Sequence, residues 1–128
     1  MSNYYFPTLT KAVFYFYIFL VKSIVNAKLS ETDDGNHVSI IDLPGDVLVI
    51  PQATLGGKLK GKAFQYHCNV SKDKGEELYN YFLLSLQQTL NSNSKWVANG
   101  CKLFSGTYGI RQVYSTQTNG PYSHVIEI

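Results

Sequence analysis

Val47-Leu48-Val49-Ile50 runs directly into Pro51-Gln52-Ala53-Thr54-Leu55, and how this junction is read decides the fold. The four leading residues are apolar without alternation, which predicts a strand covered on both faces. Pro51 ends it, because proline lacks the N–H a ladder needs. A second stretch, Thr118-Asn119-Gly120-Pro121, joins two runs of strand-like composition, residues 112–118 and 122–128. Neither stretch holds an acid, a thiol or a histidine. Any chemistry they perform must therefore come mainly from backbone N–H and C=O groups.

Upstream of the junction, residues 28–31 and 37–41 read as strands joined by Asp33-Asp34-Gly35-Asn36. Asp, Asn and Gly tolerate the left-handed geometry of a tight turn. Asp42-Leu43-Pro44-Gly45-Asp46 makes the next turn, and Gly56-Gly57-Lys58-Leu59-Lys60-Gly61-Lys62 is a glycine-rich basic loop. Residues 71–90 predict a helix with Ser71 as N-cap and Asp73, Glu76 and Glu77 near its positive end. Leu78, Phe82, Leu86 and Leu90 recur every four residues, with Tyr79 and Leu83 widening the stripe. Residues 91–94 are a polar loop, and residues 102–104 predict one more strand before Gly106 and Gly109.

A chain of 128 residues builds one domain at most. Its net charge of +2 is too small to mark a nucleic-acid binder by itself. Cys68 and Cys101 show no CxxC spacing and no histidine at metal-ligand spacing, so reduced, buried thiols are expected, with a pairing of the two as the open alternative. Residues 12–21 are apolar between Lys11 and Lys22, shorter than the roughly 17–25 residues a membrane-spanning helix needs. They look like the apolar part of a secretory signal, with Val25-Asn26-Ala27 as a cleavage site. Asn69-Val70-Ser71 is a formal glycosylation sequon, so a secreted domain remains a competing class.

Read as one string, Leu43-Pro44-Gly45-Asp46-Val47-Leu48-Val49-Ile50-Pro51-Gln52-Ala53-Thr54-Leu55-Gly56-Gly57-Lys58 resembles the D-aminoacyl-tRNA deacylase family. So does Gly106-Thr107-Tyr108-Gly109 followed by Thr118-Asn119-Gly120-Pro121. Family members carry Ser-Gln-Phe-Thr-Leu and Asn-x-Gly-Pro, where this chain has Pro51, Ala53 and Thr118 at the departing positions. Those departures resemble the family's animal-specific branch. The resemblance runs over residues 22–128 and includes Asn26-Ala27-Lys28-Leu29-Ser30-Glu31. Residues 1–21 form a non-matching apolar leader, where family members have further strand-forming sequence. The resemblance implies an α/β single domain, an antiparallel-rich mixed sheet curling toward a barrel with a packed helix. It also implies that the first family strands are lacking.

Hydrolysing an activated ester takes a placed water and preorganised donors for the oxyanion, with little acid–base power. The resemblance assigns this to the backbone of Gln52, Ala53 and Thr54, assisted by the 2′-hydroxyl of the terminal adenosine, with no metal or cofactor. Thr54 is not expected to be a nucleophile, since no His–carboxylate pair is placed to activate it. Gly120-Pro121, with Thr118 and Asn119, corresponds to a chirality filter reached from the partner subunit of a homodimer. In the animal branch the filter is trans and faces outward, with Arg111 the candidate support. The plain alternative is a hairpin turn, and the two are compatible.

Lys58, Lys60 and Lys62 alternate, so in extended conformation they share one side, where they are candidates for holding acceptor-stem phosphates. Without the resemblance a solvated basic loop is the better account of them; a P-loop is not, because no Gly-Lys-Ser/Thr closes the stretch. His67 and Cys68 are adjacent, so on a strand they point apart and make a poor catalytic pair. The family implication is a cytoplasmic trans-editing hydrolase acting on aminoacyl-tRNA, with no membrane partner. Its substrate would be L-alanine misattached to the tRNA for threonine, with D-aminoacyl and glycyl esters as further substrates. A truncated, non-catalytic RNA-binding or interaction protein is the competing reading.

Overall fold

The computed structural model describes residues 10–120 and 123–127. Helix α1 (Lys11–Asn26) contains the apolar run of residues 12–21 and continues past it. Tyr17, Val21 and Val25 recur every four residues and are buried, so one stripe of this helix is core. None of the described helices is long and apolar enough to cross a membrane.

Strands β1 (Ser30–Glu31) and β2 (His37–Val38) pair antiparallel around the expected turn, where Gly35 adopts φ 78°. The strand expected to reach residue 41 stops early. Buried Ser39 donates its hydroxyl (2.9 Å) and its N–H (3.3 Å) to Asp42 Oδ2, and its carbonyl accepts from the N–H groups of Asp42 and Leu43. These bonds close a turn, and the hydroxyl, then the amide, holds the Asp42 carboxyl below its usual range.

β3 (Val47–Val49) pairs in parallel with β6 (Leu103–Ser105), Val47 opposite Leu103 and Leu48 opposite Phe104. Asp46 Oδ1 accepts from Lys102 N–H at 2.8 Å and Val47 N–H donates to Lys102 O at 2.9 Å, which aligns the two strands at their start. β4 (Lys58–Lys60) and β5 (Ala63–Gln65) form an antiparallel hairpin. Its two-residue turn puts Gly61 at φ 63° and Lys62 at negative φ, the sign pattern of a type II′ turn. Lys58 and Lys60 therefore share a side of β4, while Lys62 sits in the turn rather than continuing the alternation.

Helix α2 (Lys72–Asn91) matches the expected helix, and Ser71 takes the N-cap position without a side-chain capping bond. Helix α3 (Ser94–Ala98) follows the expected polar loop and was not foreseen; Asn93 Oδ1 caps it by accepting from Trp96 N–H at 2.8 Å. The core joins Val21 and Val25 of α1 to Leu86 and Leu90 of α2 and Trp96 of α3, with Val47, Val49 and Leu103 packed against it. Trp96 Nε1 donates to Gly45 O at 3.0 Å, tying α3 to the turn before β3. Tyr81, beyond the expected stripe, is buried by an edge contact with Tyr17 at 4.9 Å between centroids.

Three two-stranded ladders result, and among the described residues they neither merge into one sheet nor close a barrel. Two of the three are antiparallel, as the resemblance implied. Residues 112–118 form no strand, nor do residues 123–127; Tyr122 and Ile128 of that expected strand lie outside the described residues. Among the described residues the β3–β6 pair consequently has no third strand beside it. Leu48 is 56% exposed, so the expectation that both faces of β3 are covered is corrected. Only the face carrying Val47 and Val49 meets the core. The cysteines are free, Cys101 partly buried against the core and Cys68 exposed, contrary to the expectation of two buried thiols.

Candidate active site

In a parallel pair both strands deliver their following loops to the same end. β3 leads into Pro51, Gln52 and a 3-10 turn over Ala53–Gly56, while β6 leads into the loop from Gly106 to Gln112. Between these loops and the first turns of α2 lies an open cleft of about 1100 Å³. Pro51, Gln52, Ala53 and Gly56 line it from one side, and Tyr108 to Gln112 from the other. A cleft outside the carboxyl ends of parallel strands is where α/β folds commonly place ligands.

Tyr79 of α2 holds the two strand ends together. Its hydroxyl lies 2.7 Å from Gly106 O, to which it donates, and 3.3 Å from Val49 O. Gly106 N–H in turn donates to Val49 O at 2.8 Å. The Tyr108 ring packs on Tyr79 at 5.8 Å, and its hydroxyl fills the space a side chain at buried Gly75 would need. Gln112 Nε2 donates to Thr107 O at 2.6 Å and Ile110 O at 3.1 Å, which braces the loop carrying Arg111. Gly109 turns that loop at φ 76°.

The opposite wall is held by one amide. Asn69 Nδ2 donates to Ala53 O at 3.0 Å, and the rest of the group sits where a β-carbon on Gly56 would be. The nitrogen that a glycan would occupy is thus engaged with the 3-10 turn. The first N–H groups of such a turn, on Ala53 and Thr54, have no partner inside it. They make no other hydrogen bond among the described residues.

Of the expected site residues, Gln52, Ala53 and Arg111 meet in the cleft, whereas Thr54, on the same turn, is not among its lining residues. Thr118, Asn119 and Gly120 lie exposed and do not line it. They form a local turn, with Gly120 at φ 43° and its N–H donating to Thr118 Oγ1 at 3.1 Å. Pro121, and with it the Gly120–Pro121 peptide bond, lies outside the described residues. Lys58, Lys60 and Lys62 are exposed on the neighbouring hairpin, not in the cleft. The charged groups that do line it are Lys72, Asp73, Glu76 and Arg111. Cys68 lines it as well, but His67 does not. Among the described residues no three His, Cys, Asp or Glu side chains cluster as metal ligands would.

The residues missed by the sequence reading are Asn69, Tyr79 and Gln112, all acting side chain to backbone. The doubled glycine Gly56-Gly57 was the available signal for the first, since both positions have a side chain (Asn69 and Tyr66) where their own would go.

Residues 17–127 match the model of the family described as D-Tyr-tRNA(Tyr) deacylase. The chain belongs to that family. It is 52% identical over 108 residues to D-aminoacyl-tRNA deacylase 2 of Gallus gallus, covering 84% of this chain and 65% of the relative. The protein of that name from Homo sapiens is 51% identical over 108 residues, covering 84% of this chain and 64% of the relative. The chain thus spans slightly under two thirds of the length of these curated relatives. A solved structure of a probable eukaryotic D-amino acid tRNA deacylase matches with TM-score 0.69 and 25% identity, covering 94% of this chain and 76% of that one. A solved c-Myc DNA unwinding element binding protein matches with TM-score 0.59 and 26% identity, covering 74% and 60%. The α/β arrangement of the deacylase fold is therefore shared.

Proposed function

We propose that this chain hydrolyses the ester of mischarged aminoacyl-tRNA, releasing free amino acid and tRNA. The observation that carries the proposal is the cleft at the carboxyl ends of β3 and β6, with the Gln52–Ala53 backbone on one wall and Arg111 on the other. Family membership supports it, and so do the names of the relatives.

Water adds to the ester carbonyl carbon, and the charge that develops on its oxygen is met by backbone N–H groups of the 3-10 turn. The carbon–oxygen bond to the ribose then breaks, and the proton taken from water ends on the departing ribose oxygen. The 2′-hydroxyl of the terminal adenosine, beside the ester, is the group proposed to relay it. Aminoacyl esters are activated, so positioning supplies most of what is needed. Lys58 and Lys60, one side of the exposed hairpin β4–β5, are proposed to meet acceptor-stem phosphates, with Lys62 at its tip.

Selectivity is assigned to Thr118, Asn119, Gly120 and Pro121 of a partner copy, supported by Arg111, in a homodimer. An outward-facing Gly-Pro unit leaves room for a small L-side chain. The resulting substrate is L-alanine on the tRNA for threonine, while the larger, β-branched threonyl ester is spared as in a second sieve.

The test compares hydrolysis of L-alanyl-, D-aminoacyl- and L-threonyl-esters on one tRNA by wild type and Arg111→Ala. We expect L-alanyl-tRNA to be cleaved and L-threonyl-tRNA spared, with Arg111→Ala eroding that discrimination more than it weakens binding of uncharged tRNA. An active enzyme inert toward L-alanine would instead mark a strict D-chiral filter. Inertness toward every ester would favour the non-catalytic RNA-binding or interaction reading.

A further inference from the structure

We infer that Asn69 is a positioning residue, one that aims the Ala53–Thr54 peptide unit which the proposed deacylase reading makes the oxyanion donor. The reach is long: Asn69 directly follows Cys68 on the loop after the β4–β5 hairpin, and bonds back across sixteen residues to Ala53 O. Its own N–H donates to Tyr66 O at 3.1 Å, which anchors its backbone.

A trans peptide unit is planar, with its C=O and the following N–H directed to opposite sides. Gripping Ala53 O from one side therefore sets the direction of Thr54 N–H on the other. A lone 3-10 turn has poor hydrogen-bond geometry and would hold that plane weakly by itself. The second half of the device is Gly56, whose missing side chain leaves the place that the Asn69 amide fills. Only a carboxamide suits both contacts: its nitrogen donates to the carbonyl, while a carboxylate of the same shape offers no N–H and repels it. Asn69 also lines the cleft, so the clamp stands at the site and not behind it.

The test uses the full chain, with Asn69→Ala, Asn69→Asp and, as a variant that displaces the amide without altering it, Gly56→Ala. The substrate is whichever of the glycyl-, D-aminoacyl- or L-alanyl-tRNA esters the wild type cleaves. We expect kcat to fall about tenfold or more in all three, as for a displaced oxyanion donor, with KM little changed. By nuclear magnetic resonance, the Asn69 side-chain NH2 protons should exchange with solvent about fivefold more slowly than those of exposed Asn80. The Thr54 backbone amide resonance should move in each variant.

Folded variants that keep the wild-type kcat, or that raise KM alone, overturn the inference. So does an Asn69 NH2 group that exchanges as fast as that of Asn80. If the wild type cleaves no ester, the deacylase reading fails separately. The clamp is then decided by the resonances alone, an unmoved Thr54 amide overturning it.

Discussion

Tyr79 shows how much one side chain can hold at the end of a parallel pair. Its hydroxyl closes onto Gly106 O at 2.7 Å from a helix packed behind the strands. Replacing it by Phe leaves a carbonyl short of its donor and should cost about 1–3 kcal/mol, read as a lower urea midpoint at neutral pH. Burial raises the Tyr79 pKa above its usual value, and it raises that of Tyr17 with smaller help from Glu77 and Tyr81. Folding thus favours the neutral phenols. The contribution is complete below the unfolded-state pKa of about 10 and is lost as pH rises through the folded values. Urea midpoints should therefore hold steady up to about pH 9 and fall above about pH 10, a fall diminished in the Tyr17→Phe, Tyr79→Phe double variant. The cysteine in the cleft carries the opposite expectation. With His67 outside the cleft and Cys68 in neither of the matching motifs, Cys68→Ala should slow hydrolysis by less than about tenfold. A loss beyond a hundredfold, about 2.7 kcal/mol of barrier, would restore a thiol nucleophile.

Helix α1 is the element where sequence and structure part most instructively. Val21 is fully buried beside Leu86 and Leu90, so Leu90→Ala should cost about 2–5 kcal/mol and Val21→Ala about 1.5–3 kcal/mol in urea unfolding. A silent Val21→Ala would mean that α1 is a dispensable leader after all. Its buried stripe was illegible because Phe14, Tyr15, Phe16 and Phe19 around it are apolar too, and periodicity disappears in a segment that is apolar on every side. Helix α2 alternates apolar and charged faces and was read nearly to its ends. The turn between β1 and β2 was legible from Asp, Asn and Gly, whereas the β4–β5 hairpin stands where only a glycine-rich basic loop was expected. Residues 112–118 show the limit of strand propensity. Val113 is 96% exposed with no ladder beside it, and a pleated surface needs a neighbour before β-forming residues adopt it. Gln52, Ala53 and Arg111, which line the cleft, were named through the family resemblance. Asn69 and Tyr79 were not, because a side chain bonded to backbone sixteen or thirty residues away leaves no local pattern.

At the scale of the whole molecule, two cross-strand pairs stand with their apolar side chains in solvent. Leu48 and Phe104, opposite each other on β3 and β6, are 56% and 50% exposed. Leu59 and Phe64, opposite each other on β4 and β5, are 65% and 62% exposed. Scattered apolar residues on a surface need no explanation, but directly paired ones on open ladders mark surface awaiting cover. The turn at Thr118 to Gly120 is exposed and lies off the cleft of its own chain, which suits a segment delivered to the cleft of another copy. A homodimer would answer both features, and light scattering on the purified chain should report twice the 14.4 kDa of one copy. Placing like charges on the open ladder, Leu48→Lys with Phe104→Lys, should shift the population toward monomer and lower hydrolysis together with it. The converse result is equally informative. A monomer that cleaves L-alanyl-tRNA at the full rate, with threonyl-tRNA still spared, would show that selectivity is built within one chain and that Thr118, Asn119 and Gly120 do not act across subunits.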